Sequence, residues 1–219
     1  MSTLESSPAA SPALAHADFG GLTISYDESV LTPRRWTTMQ SIWAAGLLRN
    51  SPPGRILELC AGAGQIGLLT VAMEPRELLM VDVNPRACEL ARTNAAANGL
   101  VAPVDVRHGD LQDVIRADEQ FVGVIADPPW VPSADTGRFP ADPLHAIDGG
   151  DDGLDLARSC LQVISRHLAT GGWALLQLGT EAQVEALGDW ILGERLGLEM
   201  CETRTYQDRG VLARLAATG

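Results

Sequence analysis

One short stretch of the sequence combines a carboxylate, two prolines and an indole directly after an apolar run. Asp127, Pro128, Pro129 and Trp130, the DPPW turn, follow residues 121–126, which are predicted to form a buried strand. The prolines stiffen the turn and lack backbone N–H donors, so the carbonyl groups and the Asp127 carboxylate offer only acceptors. The face of Trp130 can lie against a flat group. The turn is suited to bind N–H groups of a planar substrate; a proline-rich loop with a buried tryptophan is the alternative interpretation.

An acceptor-only surface of this kind suits the alkylation of a nitrogen atom in a conjugated group. The lone pair of an amide or aromatic amine nitrogen is delocalised, which makes that nitrogen a poor nucleophile. Acceptors that hold its hydrogens orient the lone pair towards a sulfonium methyl group. They also stabilise the positive charge that develops on the nitrogen. The turn therefore predicts methyl transfer to a planar nitrogen.

A second stretch, residues 58–67, places glycines between an apolar strand and a helix. Gly62 and Gly64 let the backbone bend sharply and approach a ligand. Ligands of such sheets bind at the carboxyl ends of the strands, and Asp82 ends the next strand, where its carboxylate can bind both ribose hydroxyl groups of an adenosyl group. The spacing Gly62-x-Gly64-x-x-Gly67 also satisfies the fingerprint of a dinucleotide such as NAD. A purely structural turn is a further alternative.

Three features favour S-adenosylmethionine (SAM) over a dinucleotide as the cofactor. Glu58 lies at the end of the first strand, where its carboxylate supports the glycine turn or faces the ammonium group of the ligand. No second domain is available to bind a hydride acceptor. The DPPW turn has no function in a dehydrogenase. We therefore expect SAM.

The elements that must position both stretches alternate between strand and helix. Asn84 is the expected N-cap of a helix that has Pro85 in its first turn and stops at Asn98-Gly99. The alternation predicts an α/β fold with a doubly wound, mostly parallel, Rossmann-like sheet. The last two strands are joined by a short turn and should pair antiparallel, because a parallel pair requires a long crossover. Strands are predicted at 22–26, 55–60, 78–82, 104–107, 121–126, 173–178, 198–206 and 211–215, and helices at 36–48, 65–73, after 110, 154–168 and 181–192.

Composition and charge limit the class of protein. The 219 residues suffice for one domain, predicted over 21–219, after an Ala/Ser/Pro-rich tail over 1–20 that is expected to be disordered. The net charge of -12 disfavours a long nucleic acid as partner. The cysteines are scattered and the histidines lack metal-ligand spacing, so reduced thiols and no metal are expected. Without a membrane-length apolar run or a secretory signal, the protein is expected to be cytoplasmic.

From about Val30 to Leu215 the chain resembles the HemK-like release-factor glutamine methyltransferases. The DGGxDGL pattern after an NPPY-type turn is the most specific part of this resemblance. The matching segments are VLTPRRWT at 30–37, ELCAGAG at 58–64, the acid at 82, Asp-Leu at 110–111, the turn at 127–130, DGGDDGLDLAR at 148–158 and the glycine pair at 171–172.

The resemblance implies the fold of a class I SAM-dependent methyltransferase, SAM as the cofactor and a release-factor-like protein as the partner. It implies that the DPPW turn engages the substrate, that Asp82 holds the ribose and that Leu111 lies beside the adenine. The residues that it assigns to catalysis are Asp127, Pro128, Pro129 and Trp130. Those that it assigns to cofactor binding are Glu58, Cys60, Ala61, Gly62, Ala63, Gly64, Asp82, Asp110 and Leu111.

Two features depart from that family. Its turn reads NPPY, and an ionised Asp127 can only accept hydrogen bonds where an asparagine also donates them. DPPW-type turns are more familiar in enzymes that act on exocyclic amines of adenine, and the short tail stands where the bacterial enzymes have a helical domain. Three functions stay open: N-methylation of a protein glutamine, N-methylation of an amino group on a nucleobase or small metabolite, and SAM binding without catalysis.

Residues near these motifs allow two interpretations. Asp148, Asp151 and Asp152 either shape the substrate pocket or cap the helix that follows. Arg34 and Thr37 either border the site or begin a helix.

Overall fold

A computed structural model of the chain describes residues 13–206 and 209–218. Strands and helices alternate along this part of the chain, with short 3-10 helices at Arg35–Thr37, Ser133–Arg138 and Leu144–Ala146. The strands are β1 (Ala15–Phe19), β2 (Leu22–Tyr26), β3 (Ile56–Leu59), β4 (Leu78–Asp82), β5 (Val104–His108), β6 (Phe121–Ala126), β7 (Leu168–Leu178), β8 (Leu198–Thr205) and β9 (Val211–Ala217). The α-helices are α1 (Thr38–Leu48), α2 (Gln65–Met73), α3 (Pro85–Ala97), α4 (Asp155–His167) and α5 (Glu181–Glu194).

Seven of these strands form one sheet in the order β5-β4-β3-β6-β7-β9-β8. The first five strands of that order are parallel, and β9 lies antiparallel to both β7 and β8. The predicted fold class, a doubly wound and mostly parallel α/β sheet with an antiparallel C-terminal pair, is confirmed. The strand order changes direction between β3 and β6, which is where open α/β sheets bind their ligands.

Helices cover both faces of the sheet, as expected for central strands that read as continuous apolar runs. Leu57 and Leu59 of β3 pack on the face that α4 and α5 cover. Ile56 packs on the opposite face, against side chains of α1, α2 and α3. All residues of β3 and β6 are buried. These packed strands form a rigid base for the loops at their carboxyl ends.

A β-hairpin precedes the sheet, and it corrects the predicted disordered tail. Residues 15–19 form β1, which pairs antiparallel with the predicted strand β2 through a turn at Gly20 and Gly21, both at positive φ. Asn94 of α3 fixes the hairpin, because its side chain accepts from the Ser25 N–H at 2.8 Å and donates to the Ser25 carbonyl at 2.9 Å. The tail prediction is therefore wrong for β1; residues 1–12 lie outside the described residues. The division into a tail and one domain otherwise stays a prediction.

The predicted start of α3 is confirmed, because Asn84 Oδ1 accepts the backbone N–H of Arg86 at 2.9 Å. The helix predicted after Asp110 is wrong. Residues 111–113 form a turn, in which Asp110 Oδ1 accepts the N–H of Gln112 at 2.8 Å and so competes with helix formation.

The fifth parallel strand, β7, starts earlier than predicted, at Leu168. The partners of Phe121 and Gly123 on β7 are Leu168 and Trp173, so the residues between them bulge out of the ladder. The glycine pair at 171–172 occupies this bulge rather than the beginning of the strand.

Candidate active site

A cleft of about 1120 Å³, open solvent at its mouth included, lies at the carboxyl ends of β3, β4, β5 and β6, and we call it the main cleft. Most of the predicted cofactor-binding residues line it: Cys60, Ala61, Gly62, Asp82, Asp110 and Leu111. Glu58, Ala63 and Gly64 are not among its lining residues. Six of the nine predicted residues therefore lie together in this cleft, three are not part of its lining, and their role in cofactor binding stays a prediction.

The glycine turn, residues 60–64, uses its two glycines differently. Gly62 has φ 54°, and a Cβ there would meet no other atom, so its backbone is open towards the main cleft. Gly64 has φ 82°, and a Cβ there would approach Met80 Sδ at 3.0 Å and Ala91 Cβ at 3.3 Å. Gly64 thus permits the close packing of α2 on β4 and α3. Only Gly62 fits the predicted close approach to a ligand.

Glu58 lies behind the glycine turn and supports it. Its Oε1 accepts the backbone N–H of Gly67 at 3.0 Å, which satisfies one free donor in the first turn of α2. Its Oε2 has no hydrogen-bond partner, and a Cβ on Gly67 would lie 2.2 Å from that atom. Burial raises the pKa of Glu58 to about 8. Of the two predicted roles for Glu58, the geometry favours support of the loop.

Asp82 presents a half-buried carboxylate at the end of β4. Its Oδ2 accepts the N–H of Gly62 at 2.7 Å, and its Oδ1 accepts the N–H of Asn84 at 2.8 Å. Burial raises the pKa of Asp82, while these two backbone bonds oppose the shift. Each oxygen keeps one free lone pair, because a carboxylate oxygen can accept two hydrogen bonds. The arrangement fits the predicted binding of two neighbouring hydroxyl groups.

A strap, defined as residues 29–31, lines the main cleft and was not predicted as part of the site. The side chain of Asn84 donates to the Ser29 carbonyl at 2.9 Å, and His145 Nε2 lies 3.2 Å from the same oxygen. Just before the strap, Asp27 is fully buried and accepts from Arg86 Nε at 2.8 Å. The only signal for the strap in the sequence was the VLTPRRWT segment. This segment resembles the family but did not predict that the strap lines the cleft.

A smaller pocket of about 560 Å³, open solvent included, adjoins the main cleft, and we call it the side pocket. Arg34 and Asp142 form an ion pair at 2.5 Å in its wall. Thr37 also lines it, so both candidate border residues, Arg34 and Thr37, belong to the site. The whole DPPW turn contributes to this wall: Asp127, Pro128, Pro129 and Trp130.

Asp127 lies on the wall that separates the two pockets, since it lines both of them. Its side chain makes no hydrogen bond with any residue of the described chain. Burial raises the pKa of Asp127 to about 7, and the Arg34 guanidinium opposes that shift. A half-buried carboxyl group without a protein partner at the junction of two pockets is available to a ligand in either one.

Trp130 packs one part of its ring over Gly179 at the end of β7. A Cβ on Gly179 would lie 2.4 Å from Trp130 Cε3, so only glycine permits this contact. Trp130 also lines the side pocket. That its ring presents a flat surface to a substrate stays a prediction.

The DGGDDGL segment braces the DPPW turn from behind. Gln183 of α5 donates through Nε2 to the carbonyls of Trp130 at 2.9 Å and Asp152 at 3.2 Å. A Cβ on Gly153 would lie 2.4 Å from the Trp130 carbonyl oxygen. Asp148 Oδ1 accepts from the Ser133 hydroxyl at 2.6 Å. These contacts show a supporting role for the segment.

Cys60 lines the main cleft with a neutral thiol. Its Sγ lies 3.9 Å from Cys160 Sγ, and this contact and burial raise the pKa of Cys60 well above the ordinary value. Within residues 13–206 and 209–218, no cluster of three His, Cys, Asp or Glu side chains is arranged to hold a metal ion. Nor does this part of the chain contain a helix with the length and apolar character to cross a bilayer.

This chain shows three features that define the class I SAM-dependent methyltransferases: the strand order of the sheet, the glycine turn and the carboxylate that ends β4. The family model described as "Methyltransferase small domain" matches residues 43–142. Among solved structures, the hMettl16 catalytic domain in complex with an RNA hairpin superposes with a TM-score of 0.71 at 14% identity, over 91% of this chain and 76% of that chain. At this identity the likeness concerns the fold alone.

Sequence relatives define the family more narrowly. A release factor glutamine methyltransferase of Geobacter sulfurreducens is 30% identical over 208 residues, which cover 92% of this chain and 70% of the relative. A ribosomal protein uL3 glutamine methyltransferase of Bradyrhizobium diazoefficiens is 31% identical over 172 residues, which cover 73% of this chain and 54% of the relative. The chain belongs to the release factor glutamine methyltransferase family, which confirms the resemblance in its sequence and SAM as the cofactor.

Proposed function

We propose that the enzyme transfers the methyl group of SAM to the side-chain amide nitrogen of a glutamine residue in a protein. The observation that carries the proposal is the unpartnered carboxyl group of Asp127 on the wall between the main cleft and the side pocket. A group that enters the side pocket meets this acceptor where it also faces the main cleft. The named activities of the relatives, which act on release factors and uL3, support a glutamine as the target.

The main cleft fits SAM. Gly62 leaves the backbone open, and Asp82 retains two free lone pairs for the ribose hydroxyl groups. Leu111 and Asp110 line the cleft at the end of β5, where we place the adenine contacts. Bound SAM supplies an electrophilic methyl group. The chain itself supplies the shape of the cleft and the acceptors around it.

The DPPW turn would hold the nitrogen that is methylated. In its ionised form Asp127 accepts an N–H of the primary amide and so turns the nitrogen lone pair out of conjugation with the carbonyl group. The same carboxylate stabilises the positive charge that develops on nitrogen. Formation of the new N–C bond makes one N–H proton acidic, and Asp127, with a pKa near 7, can accept that proton. Trp130 lines the pocket beside the amide plane.

A protein is the favoured partner over a long nucleic acid. The formal net charge of -12 would repel a phosphate backbone. The side pocket, with its partly buried Arg34–Asp142 ion pair, offers space beside the shared wall in which we place the glutamine side chain. We place the reaction in the cytoplasm, as expected from the sequence.

The test uses SAM labelled in its methyl group. The purified enzyme is incubated with cell extract, with purified release factor and with purified uL3 protein, and the label is followed in the protein, RNA and small-molecule fractions. We expect label in protein, and digestion with mass spectrometry should place one methyl group on a glutamine. The Asp127→Ala variant serves as the control for contaminating activities.

Other distributions of label would contradict the proposal. Label confined to RNA or to small molecules would reject the glutamine and favour an amino group of a nucleobase or a metabolite. Tight SAM binding with no turnover in any fraction would indicate that the protein binds SAM without catalysing methyl transfer.

A further inference from the structure

The wall between the main cleft and the side pocket contains two polar side chains. Residues that line both pockets must contact any group that passes from one to the other, as the methyl group does. The two polar ones are Gln65 and Asp127. The complete set is Leu31, Gln65, Asp127, Pro129 and Ala146.

Gln65 carries a buried acceptor without a partner. Its side-chain Oε1 is buried and makes no hydrogen bond. Buried carbonyl oxygens in native proteins are almost always bonded, so an unsatisfied one in the wall of a pocket is free to bind a water or a ligand there. Gln65 is the first residue of α2, directly after Gly64, and this fixed position directs its side chain to the shared wall.

We propose that Gln65 binds the methyl acceptor together with Asp127. A primary amide nitrogen has two hydrogens, and the wall offers two side-chain acceptors. Asp127 accepts one N–H, and Gln65 Oε1 accepts the other. A single acceptor leaves the nitrogen free to rotate about the remaining bond, whereas two acceptors fix the direction of its lone pair. Gln65 is neutral, so its contribution does not depend on pH.

This inference rests on the proposed transfer to a nitrogen, but it does not require the nitrogen to be that of glutamine. An exocyclic amine of a nucleobase also has two N–H groups. If labelling shows such an acceptor, the glutamine assignment fails, and the role of Gln65 can still be measured with that acceptor. The two failures are therefore distinguishable.

The test compares Gln65→Met, which keeps the length of the side chain but removes the carbonyl, with Gln65→Glu, which keeps an acceptor oxygen. Gln120→Met is the matched control, because Gln120 is exposed at the start of β6, at the opposite end of that strand from Asp127. Each variant is measured for thermal unfolding, for SAM binding by calorimetry, and for kcat and KM with the acceptor that the labelling experiment identifies.

We expect Gln65→Met to lower kcat/KM for the acceptor about ten- to a hundred-fold, less than the loss of the charged Asp127 acceptor, because a hydrogen bond to a neutral oxygen is weaker than one to a carboxylate. SAM affinity should stay within about three-fold of the wild type. Gln65→Glu should retain more activity than Gln65→Met, and Gln120→Met should match the wild type. Unchanged turnover in a folded Gln65→Met protein would overturn the inference. So would a loss confined to SAM affinity, since Gln65 would then serve the cofactor.

Discussion

The side-chain amide of Gln183 donates a hydrogen bond to the backbone carbonyl of Trp130 across 2.9 Å, and its Oε1 accepts the N–H of Gly179 at the same distance. One glutamine of α5 thus connects the DPPW turn with the end of β7. Because both backbone groups are part buried, they would lose their partners without it. The position of the proposed acceptor-binding turn depends on this residue.

Replacement of this residue tests that dependence. Gln183→Met should lower the free energy of unfolding by about 1–3 kcal/mol, the cost of leaving such groups unsatisfied. It should lower kcat/KM for the acceptor about ten-fold through displacement of the turn, with SAM affinity nearly unchanged. Chemical denaturation, calorimetry and steady-state kinetics measure the three quantities. A variant that loses stability but keeps normal kinetics would show that Gln183 supports the fold and not the site.

The position of the Asp82 carboxylate predicts that its removal weakens binding of the cofactor. Asp82→Ala should weaken SAM binding about ten- to a hundred-fold, because two charge-assisted hydrogen bonds to the ribose are lost and the Gly62 N–H is left without its partner. At saturating SAM the rate of methyl transfer should fall much less. Calorimetry with SAM checks the first expectation, and single-turnover kinetics check the second. Wild-type SAM affinity in this variant would remove Asp82 from the cofactor site.

The raised pKa of Glu58 predicts that the stability of the folded protein depends on pH. Burial raises its pKa from 4.5 to about 8, so the folded protein keeps a proton that the unfolded chain releases. The associated stabilisation is complete below the unfolded pKa and is lost as the pH rises through the folded pKa. The free energy of unfolding should therefore decrease from about pH 5 to about pH 8, with a limiting slope of about 1.4 kcal/mol per pH unit for this one group.

Glu58→Gln separates that effect from the cofactor. The amide keeps an acceptor for the Gly67 N–H and cannot titrate, so the slope should become shallower. SAM affinity should be unchanged, since Glu58 does not line the main cleft. Asp127, whose pKa is also raised by burial, contributes to the slope that remains. A marked loss of SAM affinity would instead support the alternative in which Glu58 faces the ammonium group.

The raised pKa of Asp127 predicts how catalysis depends on pH. Burial raises its pKa to about 7, and the acceptor role requires the ionised form, so turnover should increase as the pH rises through this region and then level off. The titratable groups that interact with it are Arg34, which opposes the rise of its pKa, and Glu58, whose own pKa the Asp127 charge helps to raise. The positive charge of bound SAM favours the carboxylate, so the midpoint in the SAM complex should lie at or below that of the free enzyme. Asp127→Asn should remove the transition while it retains an amide oxygen as acceptor; a transition that persists would assign it to another group.

Features fixed by local sequence were predictable. The glycine turn, the Asn84 cap and the prolines of the DPPW turn each depend on residues within a few positions, and strand ends in a parallel sheet meet at one edge. From these facts the sequence placed Asp82 and Asp127 at the same site. In the structure both carboxylates line the main cleft, and their roles stay predictions.

Features that depend on how distant segments of the chain pack against one another were not predictable. Which face of β3 carries Glu58 decides whether it meets Gly67 or the cofactor, and the strand's apolar run does not show it. Gln65 becomes part of the shared wall only through the distance between the glycine turn and the DPPW turn. The role of residues 148–153 as a brace depends on Gln183, which lies about thirty positions further along the chain. The hairpin strand β1 was hidden by the Ala/Ser/Pro bias of the segment before it.

The proposed mechanism requires that the Asp127 carboxylate hold the nitrogen that receives the methyl group. Its most direct test is the single-turnover rate of methyl transfer in Asp127→Ala at saturating SAM, measured beside SAM affinity in the same protein. We expect the rate to fall by about two to three orders of magnitude, the effect of removing one preorganised hydrogen bond in the transition state, while SAM affinity changes by less than about three-fold. A folded Asp127→Ala enzyme that transfers methyl groups at the wild-type rate would contradict the account.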